Sequence, residues 1–144
     1  MKKQIISLMI LTLIFGFAAI VSADDCDNTS KINEGEQKLS VVLPKVSGME
    51  PMSFNDIACA VISRNGECAS RQSIFDSSAL TYDYASGEQM PVEKAYFVLK
   101  TDVKTPKGFG VVAFKDKAEA EKFSAAHGKG KVVKWFELVD ERLK

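Results

Sequence analysis

The stretch Ser53-Phe54-Asn55-Asp56-Ile57-Ala58-Cys59-Ala60-Val61-Ile62-Ser63-Arg64-Asn65-Gly66 carries the clearest structural signal in the chain. Phe54, Ile57, Ala58, Val61 and Ile62 fall at i, i+3, i+4, i+7 and i+8, the spacing that lines one face of an α-helix. Ser53 is the expected N-cap, and Asn65-Gly66 the expected stop. At about 100° per residue, Cys59 stands roughly 130° from the middle of that stripe, so it is expected to face away from the main core.

On either side of this helix the pattern turns to short strands. Residues 39–46 are β-prone but contain Pro44, which predicts an edge strand. Ile74, Phe75, Leu80, Tyr82 and Tyr84 predict one or two strands within residues 72–84, followed by a turn at Ala85-Ser86-Gly87. After Pro91 a helical turn is expected, then buried strands over residues 95–99 and 109–114, separated by a turn at Thr105-Pro106-Lys107-Gly108. Asp116 and Glu119 form a capping-box pattern for a second helix through His127, stopped by Gly128 and Gly130. A last strand over residues 132–136 and a charged tail close the chain. Strands and helices mix without βαβ alternation, so the fold class is α+β: a small mixed sheet with two main helices.

The full chain has 144 residues, 46% of them hydrophobic, with 19 basic and 19 acidic side chains. Its start reads differently from the rest. Lys2 and Lys3 precede an apolar run over residues 5–21, and Val21-Ser22-Ala23 supplies the small residues a signal peptidase accepts, so residues 1–23 are expected to be a cleaved signal peptide. That leaves 121 residues, one domain's worth, with no further span and so no stable membrane anchor. Ala23-Asp24-Asp25 ahead of Cys26 is no lipidation box. With 17 basic against 19 acidic residues in the exported part, there is no basic surplus for nucleic acid. Residues 24–38 are polar, with Ile32 the lone aliphatic side chain, and predict a flexible arm ahead of a domain spanning residues 39–144.

Cys26, Cys59 and Cys68 all lie in the exported part, where disulfides form; three leaves one thiol over. A structural Cys59–Cys68 disulfide is one reading. A soft metal site is the other, because thiolates and thioethers select copper(I), and Met49 and Met52 stand just before the helix that carries Cys59. His127, the single histidine, is expected to pack or cap at its helix end, and Asp83 to bind backbone at a strand end. No Cys-x-x-Cys redox pair, phosphate loop, His-Glu-x-x-His or Gly-x-Ser-x-Gly occurs, so the protein is not expected to be an enzyme.

Several segments, in order, resemble the nitrous oxide reductase accessory family NosL. Phe54-Asn55-Asp56-Ile57-Ala58-Cys59 is similar to the family's Phe-x-Asp-x-x-Cys, and Asp83-Tyr84-Ala85-Ser86-Gly87 to its Asp-Tyr-x-Ser/Thr-Gly. Lys94-Ala95-Tyr96-Phe97-Val98, Thr105-Pro106-Lys107-Gly108-Phe109-Gly110, Val112-Ala113-Phe114 and Trp135-Phe136-Glu137-Leu138 follow at matching spacing, so the likeness runs over residues 53–138. The resemblance implies a periplasmic or secreted α+β protein, related in fold to an organomercurial lyase. It also implies that the protein binds copper(I) and helps deliver it to a periplasmic copper enzyme, such as nitrous oxide reductase, or to a copper carrier. Two features depart from the family. Its N-terminal Cys-x-x-Cys-Gly-Met is missing unless Cys26 is the remnant, and Lys107 stands where the family has the methionine of Thr-Pro-Met-Gly. A lysine ammonium offers copper(I) no soft lone pair, so the candidate ligands are Cys59, Met52, Met49 and Cys68. The rival expectation is a metal-free interaction or structural module closed by Cys59–Cys68.

Overall fold

Strand β1 (Val41–Leu43) pairs with β2 (Met52–Phe54) on one side and β3 (Leu80–Tyr82) on the other, and β4 (Gln89–Pro91) completes an antiparallel sheet of order β2-β1-β3-β4. The edge position expected for residues 39–46 is therefore corrected. The strand ends at Leu43, one residue before Pro44, so both of its hydrogen-bonding edges remain usable. A second antiparallel sheet, order β6-β5-β7, is formed by β5 (Tyr96–Val98), β6 (Val112–Phe114) and β7 (Val132–Lys134). The structure is a computed structural model and describes residues 26–143; the expected signal peptide lies outside the described residues. The α+β class holds, as two antiparallel sheets with four α-helices among the described residues.

Helix α1 (Ile57–Asn65) begins later than its apolar spacing suggests. Its N-cap is Asp56, whose Oδ1 accepts the Ala58 N–H at 3.0 Å, while Ser53 and Phe54 belong to β2. Residues 57–61 of α1 are all buried, so the helix is enclosed on more than the one predicted face. That enclosure also buries Cys59, which is 1% exposed, against the expectation that it faces away from the core.

Helix α2 (Ala69–Ser78) replaces most of the strand expected from residue 72 onward. Phe75 and Asp76 are its buried residues, too few to give a helical period in the sequence. Asp76 explains why the segment is helical there. It accepts Arg64 Nε at 2.9 Å and Nη2 at 2.6 Å, and the indole N–H of Trp135 at 2.7 Å. One carboxylate thus joins α1, α2 and α4 (Trp135–Asp140). The last strand stops at Lys134 because α4 starts there, with Glu137 accepting the Lys134 N–H at 2.8 Å.

The three-stranded sheet is buried on both faces, which is why its strands read as continuous apolar runs. Phe97, Ala113 and Val133 face the main core with Trp135, Phe54 and Phe75, and Phe75 stacks on Trp135 at 6.2 Å between centroids. Val98, Val112 and Phe114 face the opposite way, onto Ala120 and Phe123 of α3 (Lys117–Ala126). As expected, Asp116 caps α3 and His127 ends it, stacked on Phe123 at 4.1 Å with Nδ1 2.9 Å from Asp102.

Replacing Asp76 with alanine strands a partly buried guanidinium and a buried indole N–H. The expected loss is about 3–5 kcal/mol, the scale for breaking a buried ion pair. It is measured as a fall in the urea midpoint, with Asp140→Ala at an exposed site as the near-silent control.

Candidate metal centre

The centre is organised by Asp56, which is fully buried. Oδ1 caps α1, and Oδ2 accepts the Lys107 N–H at 3.0 Å, so one carboxylate fastens the helix start to the turn at residues 105–108. The turn is closed by the Gly108 N–H on the Thr105 carbonyl at 3.0 Å, and the buried Thr105 hydroxyl accepts the Gly110 N–H at 3.1 Å. Gly110 has φ +63°, and a Cβ there would stand 2.6 Å from the Thr101 carbonyl oxygen, so a side chain is excluded.

Cys59 lies in the first turn of α1 and is bonded to Cys26, with Cα atoms 5.1 Å apart. This corrects the expected Cys59–Cys68 bridge. From Cys59 to Asn65 the helix rises about 9 Å at 1.5 Å per residue, beyond the Cα span of about 4.4–6.8 Å that a disulfide tolerates. Cys68 therefore sits past the far end of α1, where it is the exposed N-cap residue of α2 and a free thiol. Its thiol is held below the usual range by Ser70, whose hydroxyl lies 3.4 Å away, and by the backbone N–H of Arg71.

The N-terminal segment, read from composition as a flexible arm, is fastened as well as bridged. Thr29 forms a parallel bridge with Ser53, the Ser53 N–H donates to the Asn28 carbonyl at 2.9 Å, and the Ser30 N–H donates to the Ser53 carbonyl at 3.1 Å. These bonds use backbone groups at the outer edge of β2, with the Ser53 hydroxyl donating to the Ser30 carbonyl at 2.7 Å, so hydropathy gives no sign of them. The same fastening brings in a residue that the sequence did not nominate as a ligand, Cys26. Its signals were its place as an exported cysteine before the domain and its standing as the possible remnant of the family's N-terminal Cys-x-x-Cys-Gly-Met.

Of the four nominated ligands, Cys59, Met49 and Met52 share the main core cluster, with Met49 4% and Met52 7% exposed, and Cys68 lies outside it. Asp27 is held below the ordinary carboxylate range, chiefly by the backbone N–H and hydroxyl of Thr29, with the Lys107 ammonium adding to the effect. The donor chemistry decides what this arrangement can hold. Among the described residues no three His, Cys, Asp or Glu side chains converge on a metal site. The disulfide sulfurs are not thiolates, so the oxidised pair is a poor match for copper(I); reduced, it presents two soft donors side by side.

Asp83, as expected, serves backbone, accepting the N–H groups of Ser86 at 2.8 Å and Lys115 at 3.0 Å. Burial pushes its carboxyl up, but those bonds and the Ser86 hydroxyl outweigh burial and leave it below the usual range.

The described residues thus form an α+β domain in which a cysteine pair ties the N-terminal segment to a helix start. Residues 40–143 match the family model NosL, and the chain belongs to the NosL family. Its fold is similar to that in "Crystal structure of the copper chaperone NosL from Shewanella denitrificans", with a TM-score of 0.51 and 14% identity over 78% of this chain and 91% of that one. No curated protein matches the chain.

The Cys26–Cys59 bridge spans 33 positions of sequence. Loop-closure entropy for that length predicts about 3–4 kcal/mol of stabilisation. Cys26→Ser in a Cys68→Ser background is expected to lose that amount in non-reducing urea denaturation, and adding reductant to the Cys68→Ser parent should reproduce the loss.

Proposed function

We propose that this chain is an exported copper-handling protein that carries copper(I) as cargo between the reduced sulfurs of Cys26 and Cys59. From there it hands the ion to a periplasmic copper enzyme such as nitrous oxide reductase, or to another copper carrier. Membership of the NosL family supports the class, and so does the fold shared with a protein named as a copper chaperone. The single observation that carries the metal assignment is the cysteine pair, its Cα atoms 5.1 Å apart, one partner in the core and the other half-buried. Two thiolates that close suit a two-coordinate soft ion, and the half-buried Cys26 gives a receiving protein a side from which to approach. In this reading Met49 and Met52 pack the core behind Cys59, and Cys68 takes no part.

Export is supported by the signal-like residues 1–23 and by a disulfide, which persists in oxidising compartments. Among the described residues no helix is long and apolar enough to cross a membrane.

A second reading, a metal-free interaction module, is favoured by Lys107 at the family's methionine position and by the oxidised pair. Titrating the reduced, desalted Cys68→Ser protein against a chromogenic copper(I) chelator separates the two. One equivalent of copper(I) held tighter than micromolar, and lost in both Cys26→Ala and Cys59→Ala, is the expected result. Binding no tighter than micromolar, or binding untouched by Cys59→Ala, assigns the chain to the metal-free class.

A further inference from the structure

We infer that the Cys26–Cys59 disulfide is an exchange-competent bond, opened in the folded protein by a dithiol that enters at Cys26, and that Lys107 assists the reaction. Three placements point to it. Cys59 is 1% exposed whereas Cys26 is half-buried, so an incoming thiolate reaches one sulfur and not the other. Cys59 occupies the first turn of α1, where the helix dipole favours a sulfur anion. The backbone N–H of Lys107 is bonded to Asp56 at 3.0 Å, three residues before Cys59, which holds residue 107 at the same helix end.

The chemistry balances as two successive displacements. A thiolate of the dithiol attacks Sγ of Cys26; a new S–S bond forms there, the Cys26–Cys59 bond breaks, and Cys59 leaves with the electron pair. The second thiolate of the dithiol then attacks its own sulfur in that mixed disulfide and releases Cys26 as thiolate. The dithiol ends as a disulfide, the protein gains two electrons, and the two protons lost by the dithiol are available to the cysteine thiolates.

Opposing charges are present. Burial and the Asp56 carboxylate disfavour an anion at Cys59, but both Asp56 oxygens are already engaged by the N–H groups of Ala58 and Lys107. Asp27, next in sequence to Cys26, disfavours one there, and the positive charge of Lys107 acts in the opposite sense. A lysine in the position where the family carries a thioether thus gains a role: it cannot bind copper(I), but it draws an anionic thiolate toward the bond and stabilises the anion that leaves. The inference rests on the copper reading only for its consequence, that oxidation closes the site and reduction opens it. Exchange is read without copper, so either idea can fail alone.

The test uses the mature Cys68→Ser protein in its oxidised form. Glutathione followed by iodoacetamide is expected to leave glutathione on Cys26 and the alkyl group on Cys59, located by peptide mass. Reduction by dithiothreitol is expected to be first order in dithiol under native conditions. Lys107→Met should slow it about three- to tenfold, the scale of losing one nearby screened charge, and the difference should shrink at high salt. Glutathione found on Cys59, a rate that tracks global unfolding and ignores dithiol concentration, or a Lys107→Met rate equal to wild type would each overturn the inference.

Discussion

Asp56 is a fully buried carboxylate whose two oxygens serve two different pieces of chain, and the candidate centre exists because of that division. With one oxygen it begins α1, fixing the register in which Cys59 follows in the first turn; with the other it holds the backbone of Lys107 against the same helix end. A buried carboxylate left with one partner would be expensive, and two N–H donors make this one tolerable. Asn or Ser could cap the helix equally well, but the second bond needs a forked acceptor that also reaches a neighbouring turn. The turn, in its place, is held at its other end by Thr105 and Gly110. The helix start and the loop are therefore positioned together.

Behind that pair stands a second carboxylate with a structural task. Asp76 joins the end of α1 to α2 and to Trp135, and the Asn65 side chain adds a 2.8 Å bond to the Val139 carbonyl. The helix carrying Cys59 is thus anchored at both ends by polar groups and enclosed between them by apolar ones. Such a helix gives a first-turn cysteine little freedom to move, so any change of state at the sulfur pair falls on the N-terminal segment that carries Cys26. That segment is held by the bridge and by backbone bonds to the edge of β2.

Much of the fold was legible where local rules act alone. The Asp116 cap, the turn at Thr105-Pro106-Lys107-Gly108 and the buried runs of β5 and β6 were all signalled by residues a few positions apart. The misreadings share a cause, which is that the deciding contact is distant in sequence. α2 owes its place to Asp76 meeting Arg64 and Trp135, the interior position of β1 to partners on two sides, and the fastening of the N-terminal segment to main-chain bonds and one from the Ser53 hydroxyl. Of the two bonded cysteines, Cys59 was singled out by its segment, whereas its pairing with Cys26 was not, because a disulfide across 33 positions has no local signature. The bridge to Cys68 looked attractive in sequence for the opposite reason: nearness along the chain conceals the rise of the intervening helix.

Lys107 shows how one side chain can redirect a site without disturbing its frame. The turn depends on Thr105, Gly108, Gly110 and the backbone N–H of residue 107, and none of these asks anything of the side chain at that position. A thioether there would supply a soft donor; an ammonium supplies a charge. The scaffold accepts either, so the chemistry at this end of α1 can shift from metal coordination alone toward control by thiol redox state while the fold stays constant.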